Sequence, residues 1–322
     1  FMIIKPHYIL TLAGPVLVMA FRRRSIAPAF HAENLLAAAL TLAYGLYFIL
    51  GYPAFFDRMM PILMTVYLPV FNTVQVLTTV GLTAVYGLLV AVVFRDTAWP
   101  AIAVVCLAAA TGHLVAVVIM GKGFGYQVSP ALILVSVAAA TLLFERVRAG
   151  ARRADILLGA VVAASVPVAL MLSGVVALSA ISRDYRELAA YLETRHRGDT
   201  VAQVTLDLDG AYVPFNRAIA AGYTSPLPAL ILSSWGMHLL NSGDSDAATR
   251  DAVEAVIRWE EGVFAEAILK ARPDIILVSD TAAGGPGSPW ARIAAMRAGS
   301  RELADLYAPE TKIGDVTVYG RR

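Results

Sequence analysis

A run of about twenty apolar residues has one way to satisfy its backbone in a bilayer, an α-helix. This chain repeats such runs, and the stretch between the last two of them constrains it most. That stretch is Glu145-Arg146-Val147-Arg148-Ala149-Gly150-Ala151-Arg152-Arg153, and ordinary soluble-protein sequence follows the second run. Short Arg-rich loops stay on the cytoplasmic side. The run Ile156 to Ile181 is therefore expected to cross outward, leaving residues 183–322 outside the cytoplasm.

Composition agrees with a membrane protein. Hydrophobic residues make up 58% of the chain and charged residues only 16%, with mean hydropathy +0.66. Neither fits a soluble domain. The net charge of +2 hides an asymmetry: residues 1–182 hold 11 Lys/Arg against 5 Asp/Glu, and residues 183–322 hold 15 against 19. The basic excess belongs to the membrane part, so nucleic acid is excluded as a partner. Cys106, the single cysteine, lies in an apolar run, which excludes an intrachain disulfide. The chain begins Phe1-Met2 with no charged leader or small-residue cleavage site. That start points to further spans upstream.

Six spans are expected, near Tyr8–Phe21, Leu35–Tyr52, Val74–Phe94, Ala101–Met120, Val128–Phe144 and Ile156–Ile181. Lys5 and His7 mark the outer end of the first, and Pro167 permits a kink in the last. Three loops then hold eight arginines: Arg22, Arg23, Arg24, Arg95, Arg146, Arg148, Arg152 and Arg153. The opposite side holds Lys5, Arg58 and Lys122. The bias predicts outward termini.

Two outer segments are not plain loops. Residues 53–72 contain three prolines, Asp57-Arg58 and a Met/aromatic-rich stretch too broken to span. They read as a helix lying on the interface or re-entering part-way. Gly121-Lys122-Gly123-Phe124-Gly125-Tyr126-Gln127 is a glycine-rich turn. In the tail, Arg183–His196 has helical spacing and Thr200–Asp207 alternates like a strand. Ala247–Ala271 is an amphipathic helix ending at Arg272-Pro273, followed by a buried-strand run at Ile275–Val278. A short helix at Pro289–Ala298 and a final strand at Lys312–Tyr319 complete a small α/β sandwich with a partly parallel sheet. The fold class expected is a polytopic helical membrane domain (1–182) with an extracytoplasmic α/β domain (183–322).

The glycine-rich turn is the leading site. Gly121 and Gly123 let backbone N–H groups approach a ligand, Lys122 suits a phosphate, and Tyr126 and Gln127 suit a sugar. The bland alternative is a flexible turn with Lys122 reaching out to lipid headgroups. Asp57 and Arg58 read either as a carboxylate and an anion binder or as a local ion pair. His113 is either functional at its depth or a neutral ring bonded to a neighbouring helix. Asp207 and Asp209 suit a divalent cation, although Asp-Gly is also ordinary turn chemistry.

Several of these features resemble the later part of bacterial GT-C superfamily glycosyltransferases, in the aminoarabinose-transferase and protein-mannosyltransferase-like branch. They are Lys5-Pro6-His7-Tyr8-Ile9-Leu10, the arginines 22–24, Phe56-Asp57-Arg58-Met59-Met60-Pro61, the 121–126 turn and Arg272-Pro273-Asp274-Ile275-Ile276-Leu277-Val278. The resemblance implies a polyprenyl-phosphate sugar as donor and an envelope glycan or protein as acceptor, at the outer face of a bacterial inner membrane. It implies that Lys122, with Arg58, holds the lipid phosphate. Relatives carry a His where this chain has Gln127, and their catalytic Asp lies in a first outer loop that these residues do not include. The alternatives are a non-enzymatic membrane-anchored scaffold that binds a glycan and, last, a transporter subunit.

Overall fold

The computed structural model describes residues 9–122, 125–206, 229–241, 246–283, 287–298 and 301–322, without the side chains of 125–126, 170, 173–185 and 301. The chain divides into two compact units: residues 1–59 with 71–173, and residues 60–70 with 174–322.

The first unit is helical. Its elements are α1 (Leu10–Arg23), α2 (Ala32–Gly51), α4 (Thr73–Val93), α5 (Ala101–Met120), α6 (Gly125–Arg148) and the beginning of α7 (Arg153–Arg195). Among the described residues four helices are long and apolar enough to cross a membrane: Ala32–Gly51, Thr73–Val93, Ala101–Met120 and Gln127–Arg148. As described, α1 has 14 residues. At 1.5 Å per residue it is shorter than a hydrocarbon core of about 30 Å.

α5 is the hub of this unit. Against α6 it packs small residues, with Ala103 and Ala110 beside Ala131 and Ala138 in one buried cluster. Against α1 the approach is closer still. A Cβ on Gly14 would strike the Ala108 carbonyl, and one on Gly112 would strike the Leu10 carbonyl. Small residues at a crossing let two backbones touch where apolar packing alone cannot drive association. α2 differs in that none of its residues is buried.

One end of the unit is tied by Arg146, whose residue is 8% exposed. Its guanidinium donates to Thr97 Oγ1 (3.1 Å), the Asp155 carbonyl (3.1 Å) and the Val93 carbonyl (2.6 Å), and stacks on Phe94 at 4.7 Å. A cavity of about 780 Å³ beside it also takes in Arg95 and Arg148, balanced by Asp96, Glu145 and Asp155. Arg22 and Arg23 share a groove with the start of α5 at the same end. The arginine-bearing loops therefore converge.

The second unit is a sheet between helices. Its strands are β1 (Val201–Val204), β2 (Ile275–Ser279), β3 (Tyr307–Ile313) and β4 (Val316–Arg321), in the order β1-β2-β4-β3. β1 and β2 are parallel, and the other pairings are antiparallel. Ile275 and Leu277 pack with Leu188 and Leu192 of α7 on one face. Ile276 and Val278 pack with Phe264, Ala265 and Ile268 on the other. Both faces being covered explains why β2 is apolar throughout rather than alternating.

That second cover comes from α9 (Ala247–Ala271), capped at its start by Asp246 accepting from the Thr249 N–H and stopped before Pro273. The sequence reading placed this helix and β2 where they are found. It merged β3 and β4 into a single strand. Gly314, at φ +59, lies between them, and the Asp315-side turn was the missed signal. Residues 207–228 and 242–245, which include Asp207 and Asp209, lie outside the described residues.

The broken segment after α2 also has a definite form. A π-helical turn (Phe55–Met59) folds Phe55 and Phe56 onto Phe48, with centroids 5.0 and 5.6 Å away. The short helix α3 (Met60–Val66) then packs on α8 (Ile231–Asn241) and α9. Val66 joins Leu232, Val253 and Ile257 in one cluster, and Tyr67 lies 4.3 Å from Trp235 by ring centroids. It serves the second unit as an inserted helix.

Candidate functional site

The turn joining α5 to α6 is assembled from three helices. Gly121 ends α5 in the left-handed conformation (φ 68), and a Cβ there would run into the Phe71 ring. Its carbonyl accepts from the Asn72 N–H at 2.8 Å. Asn72 in turn caps α4, its side chain accepting from the Gln75 N–H at 2.9 Å. The turn is therefore held by α4 as well as by the helices it connects.

His113 supplies the third tie. Its Nε2 lies 2.7 Å from the Gln127 carbonyl, and its Nδ1 lies 2.9 Å from Thr11 Oγ1. A carbonyl only accepts, so Nε2 carries the proton and Nδ1 of the neutral ring accepts from the Thr11 hydroxyl. Of the two readings offered by the sequence, the ring bonded to neighbouring helices is the one observed. Thr11 stands one turn from the Gly14 crossing, so the close approach of α1 to α5 brings this hydroxyl to the ring.

Two polar side chains are enclosed at this turn. Lys122 is 3% exposed, so it does not reach outward as a headgroup anchor would, and burial pulls its ammonium below the ordinary lysine range. Gln127 is 0% exposed, and neither its Nε2 nor its Oε1 has a hydrogen-bond partner among the described residues. A buried carboxamide left this way calls for a ligand or water. Gln127 sits in the first turn of α6, where helix N–H groups and the dipole favour an anion, and Lys122 lies three residues before that helix. Gly123 lies outside the described residues, as does the Tyr126 side chain.

Asp57 and Arg58 do not join this arrangement. Both are exposed in the π-helical turn, with no ion pair or hydrogen bond among the described residues. They do not pair with each other either. No three His, Cys, Asp or Glu side chains converge on a metal position among the described residues.

The second unit holds buried charges that the sequence reading passed over. Glu260 accepts from the Leu232 N–H (3.0 Å), the Ser233 N–H (2.7 Å) and the Ser233 hydroxyl (2.7 Å), closing the first turn of α8. Glu261 takes a two-pronged grip from Arg292, at 2.6 and 2.7 Å. Burial raises both carboxyls even so, with hydrogen bonds pulling the other way. Their signal in the sequence was position: they continue the stripe Val253, Val256 and Ile257 toward Phe264 and Ile268. His196 links the end of α7 to β3, with Nδ1 3.0 Å from Asp199 and Nε2 3.0 Å from Glu310. These are structural ties.

Compared with known proteins, the chain matches no family model, no curated protein and no solved structure.

Proposed function

We propose that this chain is the carrier-binding part of a membrane glycosyltransferase of GT-C type, which takes a sugar from a polyprenyl phosphate on the outer face of the membrane. The observation that carries the reading is the enclosed Lys122 and Gln127 at the start of α6. Phosphate oxygens accept hydrogen bonds, and an ammonium and a carboxamide NH2 both donate them. Once the sugar bond breaks, the charge left on the carrier phosphate is stabilised by the same donors.

Topology supports an outer-face site. Residues 60–70 belong to the same unit as the C-terminal region, so both lie on one side of the bilayer. Between them run α4, α5, α6 and α7, and four crossings keep the two segments on one side where three would separate them. In this proposal α7 is therefore a crossing helix. With the arginine loops cytoplasmic, the α5–α6 turn and the sheet unit face outward. In this proposal α1 counts as the sixth span.

Among the described residues no carboxylate bonds to the turn. The base that activates the acceptor is therefore not assigned within them, and neither is a divalent cation.

The test is direct binding. The full chain in nanodiscs is titrated with undecaprenyl phosphate, alongside Lys122→Ala and Gln127→Leu. Loss of a charge-assisted contact is worth about 1.5–3 kcal/mol, so Lys122→Ala should weaken binding by roughly tenfold or more. Equal affinity of parent and Lys122→Ala would sink the assignment.

A further inference from the structure

A second lipid site, at the opposite end of the helical unit, follows from the groove between α1 and α5. We infer that this groove holds one anionic phospholipid of the cytoplasmic leaflet, with its headgroup phosphate on Arg22 and Arg23 and an acyl chain along Val18, Met19 and Val104. The groove has a volume of about 230 Å³. Apart from Arg22 and Arg23 its lining is apolar, and no acidic residue lines it among the described residues.

Charge complementarity picks the occupant. Arg22 and Arg23 end α1 and have no ion pair or hydrogen bond among the described residues. Ala101 opens α5 in the same groove, and Pro100 gives that helix no side-chain cap. The first-turn N–H groups and the positive end of the dipole therefore add to the two arginines. Two unbalanced cations beside an uncapped helix start suit a phosphate. The apolar lining beside them suits a chain attached to it, which a free anion does not have.

The larger cavity beside Arg146 makes the contrast. Its three arginines are matched by three carboxylates, and Arg146 is already spent on protein oxygens. Positive charge there knits loops together. At Arg22 and Arg23 it is left for a ligand. The groove also explains how α1, whose described length is short for a span, holds its lower end: the lipid completes the packing that the helix lacks.

Native mass spectrometry of the full chain tests this, with phosphatidylglycerol and phosphatidylcholine added separately. The parent should keep one phosphatidylglycerol through detergent activation that strips phosphatidylcholine. Arg22→Gln with Arg23→Gln should reduce the retained fraction at least tenfold. Val104→Phe, which fills the groove and leaves every charge in place, should do the same. Its melting temperature reports whether that variant is folded, and the double Gln change on exposed residues stands if it is not. Equal retention of the two lipids by the parent would overturn the site. So would undiminished phosphatidylglycerol in either folded variant. Neither result bears on undecaprenyl phosphate at the Lys122 turn.

Discussion

Lys122 is held where its charge is poorly solvated, and that gives ligand binding a pH signature. Burial depresses its pKa, so the ammonium is lost at a lower pH than in an ordinary lysine. An anion that needs the ammonium should bind with constant affinity at low pH and weaken as pH rises through the depressed value. Lys122→Arg, whose guanidinium stays charged, should flatten that decline in the undecaprenyl phosphate titration. Glu260 carries the opposite kind of linkage. Its carboxyl is raised above the ordinary 4.5, chiefly by burial. The native state therefore binds its proton more tightly than the unfolded state, and stability falls as pH rises from about the unfolded value through the raised one. Glu260→Gln should reduce this slope in denaturation curves followed by tryptophan fluorescence, the remainder belonging to Glu261, which burial also raises. Where the native carboxyl is ionised, the change should also destabilise by about 1–3 kcal/mol, because an amide nitrogen then faces N–H donors. Lys122 and Gln127 were legible in the sequence as a glycine-flanked pair. Their burial was not, since the turn is held by contacts distant in the chain, Phe71 and Asn72 on Gly121 and His113 on the Gln127 carbonyl.

Helices in this protein meet through what their residues lack. Gly14 and Gly112 leave room for α1 to touch α5, and the Thr11–His113 bond depends on that approach. Gly112→Ala should force the helices apart and destabilise the full chain by roughly 1–3 kcal/mol, as overpacking does. A thermal melt in detergent measures this, and the His113 ring should lose the Thr11 hydroxyl with it. Periodicity read the long elements well, because α4, α5 and α9 are uninterrupted stretches whose ends carry proline, glycine or a cap. For residues 60–66 it gives a helix, as found, but not what the helix packs against. Their apolar face matches the partly apolar faces of α8 and α9, and nothing local in Met60-Pro61-Ile62-Leu63 separates a helix meant for lipid from one meant for protein. A fragment of residues 183–322 should show the difference. Without α3 it leaves Leu232, Val253 and Ile257 uncovered, so it should aggregate, and a version with residues 59–70 supplied as a fused or added peptide should stay monomeric in size-exclusion chromatography.

For the whole molecule the decisive quantity is sidedness. Single cysteines at Ser25, Gly150 and Arg322 in a Cys106→Ala background provide it through a membrane-impermeant maleimide added to intact spheroplasts. The proposed orientation labels position 322 alone. Labelling at 25 or 150 would reverse it and remove the Lys122 turn from the outer face. That orientation rests on charge bias, a property of composition along the chain and indifferent to how helices pack. How the chain divides was not legible there. The sheet unit borrows residues 60–70 from between two spans, so the polypeptide passes between the units three times rather than once. A gene carrying this arrangement cannot trade its C-terminal half by a single recombination, since the incoming half would arrive without the helix lodged upstream. The two units are thereby bound to a shared ancestry, and a hybrid joined at a single seam should fail even when each parent folds.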